Sequence, residues 1–143
     1  MNYALTIEMD LSYDEAVAKV REALAAQGFG ILTEIDVQAT LKAKIGADIE
    51  PYLILGACNP QLAHQALEIE PKIGLLLPCN VVVRAGDGCT IVEALDPKVI
   101  AEVPGRDELV PVADEAGRRI RAALDSLTDS RDIHTHEQSK EIR

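Results

Sequence analysis

A chain of 143 residues with 48% apolar and only 3% aromatic residues has the length of one domain, and its formal charge is −10. That acidic excess argues against nucleic-acid partners, which need a basic stripe for phosphates. The four rings (Tyr3, Tyr13, Phe29 and Tyr52) leave little to stack on bases or a planar cofactor, and no run of 18 apolar residues suggests a membrane span.

Residues 3–9 alternate, so Tyr3, Leu5, Ile7 and Met9 share one face of a half-buried strand. Ser12-Tyr13-Asp14-Glu15 has capping-box form, with Ser12 as N-cap. Ala16, Val17, Val20 and Leu24 then follow helical spacing, and Gly28 stands where a stop is expected, which predicts a helix over 13–27. Phe29, Ile31, Thr33 and Ile35 lie on one side of a second strand. Val37, Leu41 and Ile45 predict a short helix over 37–45, closed by Gly46. Residues 52–58, between Pro51 and Pro60, read as a third strand. Asn59-Pro60 is a helix start with Asn at the N-cap and Pro at N1; Leu62, Ala63, Ala66 and Leu67 give that helix its apolar stripe, and Pro71 ends it. Residues 73–85 are the longest apolar run and read as one long strand containing Pro78. Gly86-Asp87-Gly88 is a three-residue hairpin turn, and 89–95 is the returning strand. Ala113, Ala116, Ile120, Leu124 and Leu127 line a final helix, with Arg118, Arg119 and Arg121 outside the stripe. The pattern predicts one α+β domain over 1–128 and a polar, disordered tail over 129–143.

A chain of this mass can bury about 68% of its surface, enough for a core without metal or disulfide staples. Three cysteines (Cys58, Cys79 and Cys89), none in a CxxC motif, do not read as a disulfide framework or a zinc site. Met1-Asn2-Tyr3 does not open a signal peptide, so a cytoplasmic location is expected.

Three places offer chemistry. At Cys58-Asn59-Pro60 a strand hands a thiol to a helix N-terminus, which favours anions and lowers thiol pKa values; the plain alternative is a capping Asn beside a small buried hydrophobe. Cys79 shares its predicted face with Leu75, Leu77, Val81 and Val83, and Asn80, an amide among valines, needs partners if buried. With a three-residue turn, Ala85 opposes Cys89 and Val81 opposes Glu93. Glu93 then lies on the apolar face as a carboxylate of raised pKa, unless the register shifts by one residue. Residues 71–92 hold Lys72, Arg84 and Asp87, a net of +1, so an anionic ligand fits there despite the overall charge. His64 and Glu68 read as a surface pair, and His134 and His136 as tail residues without a metal scaffold. No P-loop, GxGxxG or GxSxG motif is present, and no cofactor or metal is called for.

These elements carry a resemblance. Leu55-Gly56-Ala57-Cys58-Asn59-Pro60, Gly74 to Val83 with Leu77-Pro78-Cys79-Asn80-Val81 at its centre, and Val92-Glu93-Ala94-Leu95-Asp96-Pro97 keep their order and spacing over roughly residues 1–127. In this the chain resembles domain-of-unknown-function family 302. The resemblance implies an antiparallel sheet with helices packed on one face, similar to the TATA-binding-protein-like fold, and association as a homodimer. It implies no reaction, and the fold likeness does not imply DNA binding. The reading that results is a cytoplasmic, dimeric module that binds a small molecule or anion near Cys58, Asn59, Cys79, Asn80 and Glu93. The alternative is thiol redox, sulfur transfer or thiolate-metal work by Cys58 and Cys79.

Overall fold

The computed structural model describes residues 2–128. Its core element is a five-stranded antiparallel sheet, built from β1 (Ala4–Met9), β2 (Gly30–Asp36), β3 (Tyr52–Cys58), β4 (Cys79–Ala85) and β5 (Thr90–Leu95). The spatial order is β1-β5-β4-β3-β2. Period-two alternation gives the sheet two distinct faces. On the inner face Leu5, Ala94, Val81 and Leu55 form one row across the strands, and Ile7, Val92, Val83 and Leu53 form the next.

Two long helices cover that inner face: α1 (Tyr13–Ala26) and α5 (Val110–Leu127). The predicted capping box is formed. The Ser12 hydroxyl accepts from the Glu15 amide, and the Ser12 amide donates to the Glu15 carboxylate. Val20 and Leu24 of α1 and Ile120, Leu124 and Leu127 of α5 pack on Leu55, Val81, Val83 and Val92 as one apolar core. Helix α2 (Val37–Ile45) has the predicted bounds, stops at the left-handed Gly46, and buries none of its residues. Helix α3 (Pro60–Ile69) starts as predicted on Asn59. With a 3₁₀ segment over Pro71–Leu76, the four-residue α4 (Val99–Glu102) and the first half of α5, it encloses a second core around Ile73, Leu109 and Cys79. The α+β class and the helix-covered antiparallel sheet are as expected, and the arrangement is compatible with a TATA-binding-protein-like fold. Among the described residues no helix is long and apolar enough to cross a membrane.

Three expectations are corrected. First, residues 73–85 are not one strand. Glu70 caps the 3₁₀ segment, Ile73 alone of that segment is buried, Leu75 is 86% exposed, and a cis Leu77–Pro78 bond precedes β4. Leu75 therefore shares no face with Cys79. Second, a bulge between Ile31 and Thr33 flips the phase of β2, so Ile31 faces the core while Thr33 and Ile35 lie on the outer face. Third, Ala85 opposes Thr90, and the Gly86 amide donates to the Cys89 carbonyl. One extra turn residue moves the β4–β5 register by one, and that turns Glu93 to the outer face opposite Val82. The stretch 129–143, with His134 and His136, lies outside the described residues.

Candidate functional site

Strand β3 ends and β4 begins at the same end of the sheet, with Ala57 directly opposite Cys79. Cys58 is the next residue along. Asn59 then turns the chain into α3 and is itself buried. Its side-chain oxygen accepts from the Leu62 amide at 3.1 Å, and its amide nitrogen donates to the Gly28 carbonyl at 3.3 Å. Asn59 therefore ties the start of α3 to the end of the α1–β2 turn. Gly28 has φ +85°, and a Cβ there would stand 3.1 Å from the Asn59 amide nitrogen and 3.3 Å from an Arg119 Nη. Only glycine combines that conformation with so close an approach.

Between these groups lies a cavity of ≈ 30 Å³, lined by Phe29, Cys58, Asn59, Leu62, Leu77 and Cys79 together with small residues of α3 and α5. By volume it takes one or two water-sized groups. The walls are apolar apart from the two thiols and Asn59, whose side-chain oxygen and nitrogen each already make one hydrogen bond. The Arg119 guanidinium near Asn59 is held by Glu115, with Nε donating at 2.7 Å. Among the described residues no Lys or Arg lines the cavity.

Burial decides the state of the thiols. It pushes Cys79 up to about 11, and the neighbouring Cys58 adds to that rise; burial raises Cys58 as well. The helix N-terminus does not win over desolvation, contrary to the activated thiol considered from sequence. Both sulfurs are protonated near neutrality.

The other two candidate residues are elsewhere. Asn80 is exposed on the outer face, so it has no buried amide to satisfy. Glu93 is also on the outer face: its carboxylate accepts from Arg84 Nε at 2.8 Å and from the Thr6 hydroxyl at 3.3 Å. The Arg84 hydrogen bond holds its pKa below the ordinary 4.5, the reverse of the raised value expected from an apolar setting. The sheet itself separates both residues from the cavity. His64 and Glu68 are an exposed pair at 3.8 Å, and Cys89 sits in the β4–β5 loop beside Glu8. Among the described residues no group of three or more His, Cys, Asp or Glu is placed to hold a metal ion.

The sign of the Glu93 shift fixes a pH dependence. A carboxylate whose folded pKa is depressed contributes stability that is present above the unfolded value and lost as pH falls through the folded one. Glu93→Gln is therefore expected to lower Tm relative to the parent above pH 4.5, with the difference closing as acid protonates Glu93. Melting curves of both proteins across that range test it; a constant difference would show that the pair acts by packing alone.

Residues 5–127 match the family described as Domain of unknown function DUF302. The chain belongs to the DUF302 family. The crystal structure of an uncharacterized conserved DUF302 protein from Bacillus stearothermophilus is similar to this chain with a TM-score of 0.82 and 29% identity, covering 89% of this chain and 99% of that one. No curated protein matches the chain.

The match takes in every group that lines the DUF302 cavity. Cys58, Asn59 and Cys79 were visible in the sequence as candidates; Phe29, Leu77 and the Gly28–Asn59–Arg119 approach were not. Their only local signal was Gly28 as a helix stop, and nothing local says what a carbonyl will meet 31 residues away. Asn59→Ala removes the α3 cap, worth ~1–2 kcal/mol, and leaves the Gly28 carbonyl without its donor, worth about 1–3 kcal/mol more if water does not replace it. Asn59→Asp keeps a capping oxygen and loses only the donor, so denaturant midpoints should fall in the order parent, Asp, Ala. Equal losses in the two variants would assign the whole effect to the Gly28 bridge.

Proposed function

We propose that this DUF302 protein is a homodimeric binding module that holds a compact ligand of low charge in the cavity between Cys58 and Cys79. The supporting observation is the shared cavity: two thiols from different strands line one small, largely apolar space at the junction of the sheet with α3 and α5. Protonated thiols and an Asn59 already bonded at both its oxygen and its nitrogen favour an apolar or soft ligand of a few atoms over an anion. Drug-sized ligands need cavities of ~300 Å³ or more, so they do not fit this shape. Three free cysteines suit the reducing cytoplasm, and the acidic charge disfavours nucleic acid.

Xenon is the direct probe, because small apolar cavities admit it. Under xenon pressure the amide resonances of Cys58, Leu62 and Cys79 should shift. Ala116→Val, which adds bulk to the lining, should suppress those shifts while the protein stays folded. Shifts confined to other regions, or none, would sink the cavity reading.

The same shared cavity favours one second reading, thiol chemistry by Cys58 and Cys79. It requires a thiolate at working pH. Reaction of the folded protein with a disulfide reagent should leave Cys79 unmodified at pH 7 and modify Cys58 only slowly. Rapid modification of Cys79 at that pH would instead support redox work.

A further inference from the structure

The strand register defines the outer face of the sheet row by row. One row runs Thr6, Glu93, Val82, Ile54, Ile35; the next runs Glu8, Ile91, Arg84, Tyr52; and Ala4 and Leu95 begin a third. The first two rows thus place Ile35, Ile54, Val82, Ile91 and Tyr52 side by side around the Arg84–Glu93 pair. The long helices α1 and α5 pack on the opposite face. Helix α2 makes its sheet contacts with β2 and β3 and buries none of its own residues, and Ile35 remains 47% exposed. Tyr52, Ile54, Val82 and Ile91 are each half-buried, so with Ile35 they leave partly exposed apolar surface of the kind that marks an association site.

We infer that a second copy of this chain docks on the outer face of the sheet, with the Arg84–Glu93 pair at the centre of the contact. This rests on the homodimer reading above and names its surface. Two observations select a second copy as the occupant. The first is charge. The chain carries −10 overall, yet the charged side chains in these two rows are Glu8, Arg84 and Glu93 alone, a net of −1, so this face carries little of the acidic excess that would keep two copies apart. A two-fold axis through the face sets Arg84 of each protomer against the carboxylate pole of the other, as a self-complementary isologous contact requires. The second is area. Five strands ~4.8 Å apart and about six residues long span a flat patch on the order of 500 Å². That is of the same order as the ~800 Å² per partner of a standard interface.

Light scattering on the full chain, across a dilution series, tests this together with three variants. The full chain should be a dimer. Val82→Glu sets an unpaired carboxylate in the middle of the patch and should weaken the dimer about 100-fold or more, while circular dichroism and Tm show a folded monomer. Arg84→Glu leaves a protomer with two carboxylates at the centre, and Glu93→Arg leaves one with two guanidiniums. Each alone should be monomeric, and their mixture should form a heterodimer. A dimer that survives Val82→Glu overturns the assigned surface and leaves the dimer reading standing. A full chain that is monomeric throughout overturns both. Two charge variants that fail to pair when mixed overturn the central role of Arg84 and Glu93.

Discussion

Gly56→Val is expected to destabilise the protein by about 3 kcal/mol or more, at the upper end of overpacking losses. Gly56 sits in β3 on the outer face, opposite Thr33 on one side and Asn80 on the other. A Cβ there would stand 2.1 Å from the Thr33 hydroxyl oxygen and 2.8 Å from Cγ of Pro78. Neither neighbour retreats easily. The bulge in β2 aims Thr33 at this spot, and the Pro78 ring is tied to the start of β4. The glycine is needed for room, since its φ is not in the left-handed region. Urea midpoints give the test, and Thr33→Ala provides the control. Removing the closer obstacle should recover part of the loss in the Gly56→Ala background, a coupling readable from a double-mutant cycle. Full additivity would mean that Pro78 or the backbone sets the limit. Because Gly56 lies two residues before Cys58, the same substitution should also disturb the cavity resonances.

Leu55→Ala is expected to cost ~2–5 kcal/mol. Leu55 is 0% exposed, in a central strand, within the core shared with Val81 and the long helices. Truncation leaves a void that rigid neighbours on β4 and α5 cannot close. Leu75→Ala changes the same chemical groups in the 3₁₀ segment, where the side chain is 86% exposed, and should stay within about 0.5 kcal/mol. Chemical denaturation of the pair separates burial from residue type. A loss below 1 kcal/mol for Leu55→Ala would mean that the core repacks around it.

The elements that the sequence announced are those with local chemistry at their ends. Ser12 with Glu15 marks the start of α1, Asn59-Pro60 the start of α3, and Gly46 the end of α2, because caps and left-handed glycines act within a few residues. Residues 73–85 misled because hydrophobic content without a period does not distinguish a strand from a 3₁₀ segment that buries one residue in six. The Glu93 placement failed for a different reason. Register depends on the number of turn residues, and one additional residue at 86–89 reverses the face of every side chain that follows. The candidate site was half legible. Cys58, Asn59 and Cys79 were identified, but their convergence requires β3 to pair with β4, a long-range fact that periodicity does not contain. Glu93 and Asn80 were grouped with them through the assumed register and belong to the other side of the sheet.

Pairing of β1 with β5 also sets an order of events during synthesis. Thr6 meets Glu93 across 87 residues, so β1 leaves the ribosome well before its partner strand and is among the last of the five to find its place. At ~5–20 residues per second it waits roughly 4–17 s for its neighbour. Meanwhile β2, β3 and β4, joined by nearer contacts, pair without it. The N-terminal strand thus acts as a late seal on a sheet already begun, and until it arrives the free edge of β5 is open to any other strand in reach.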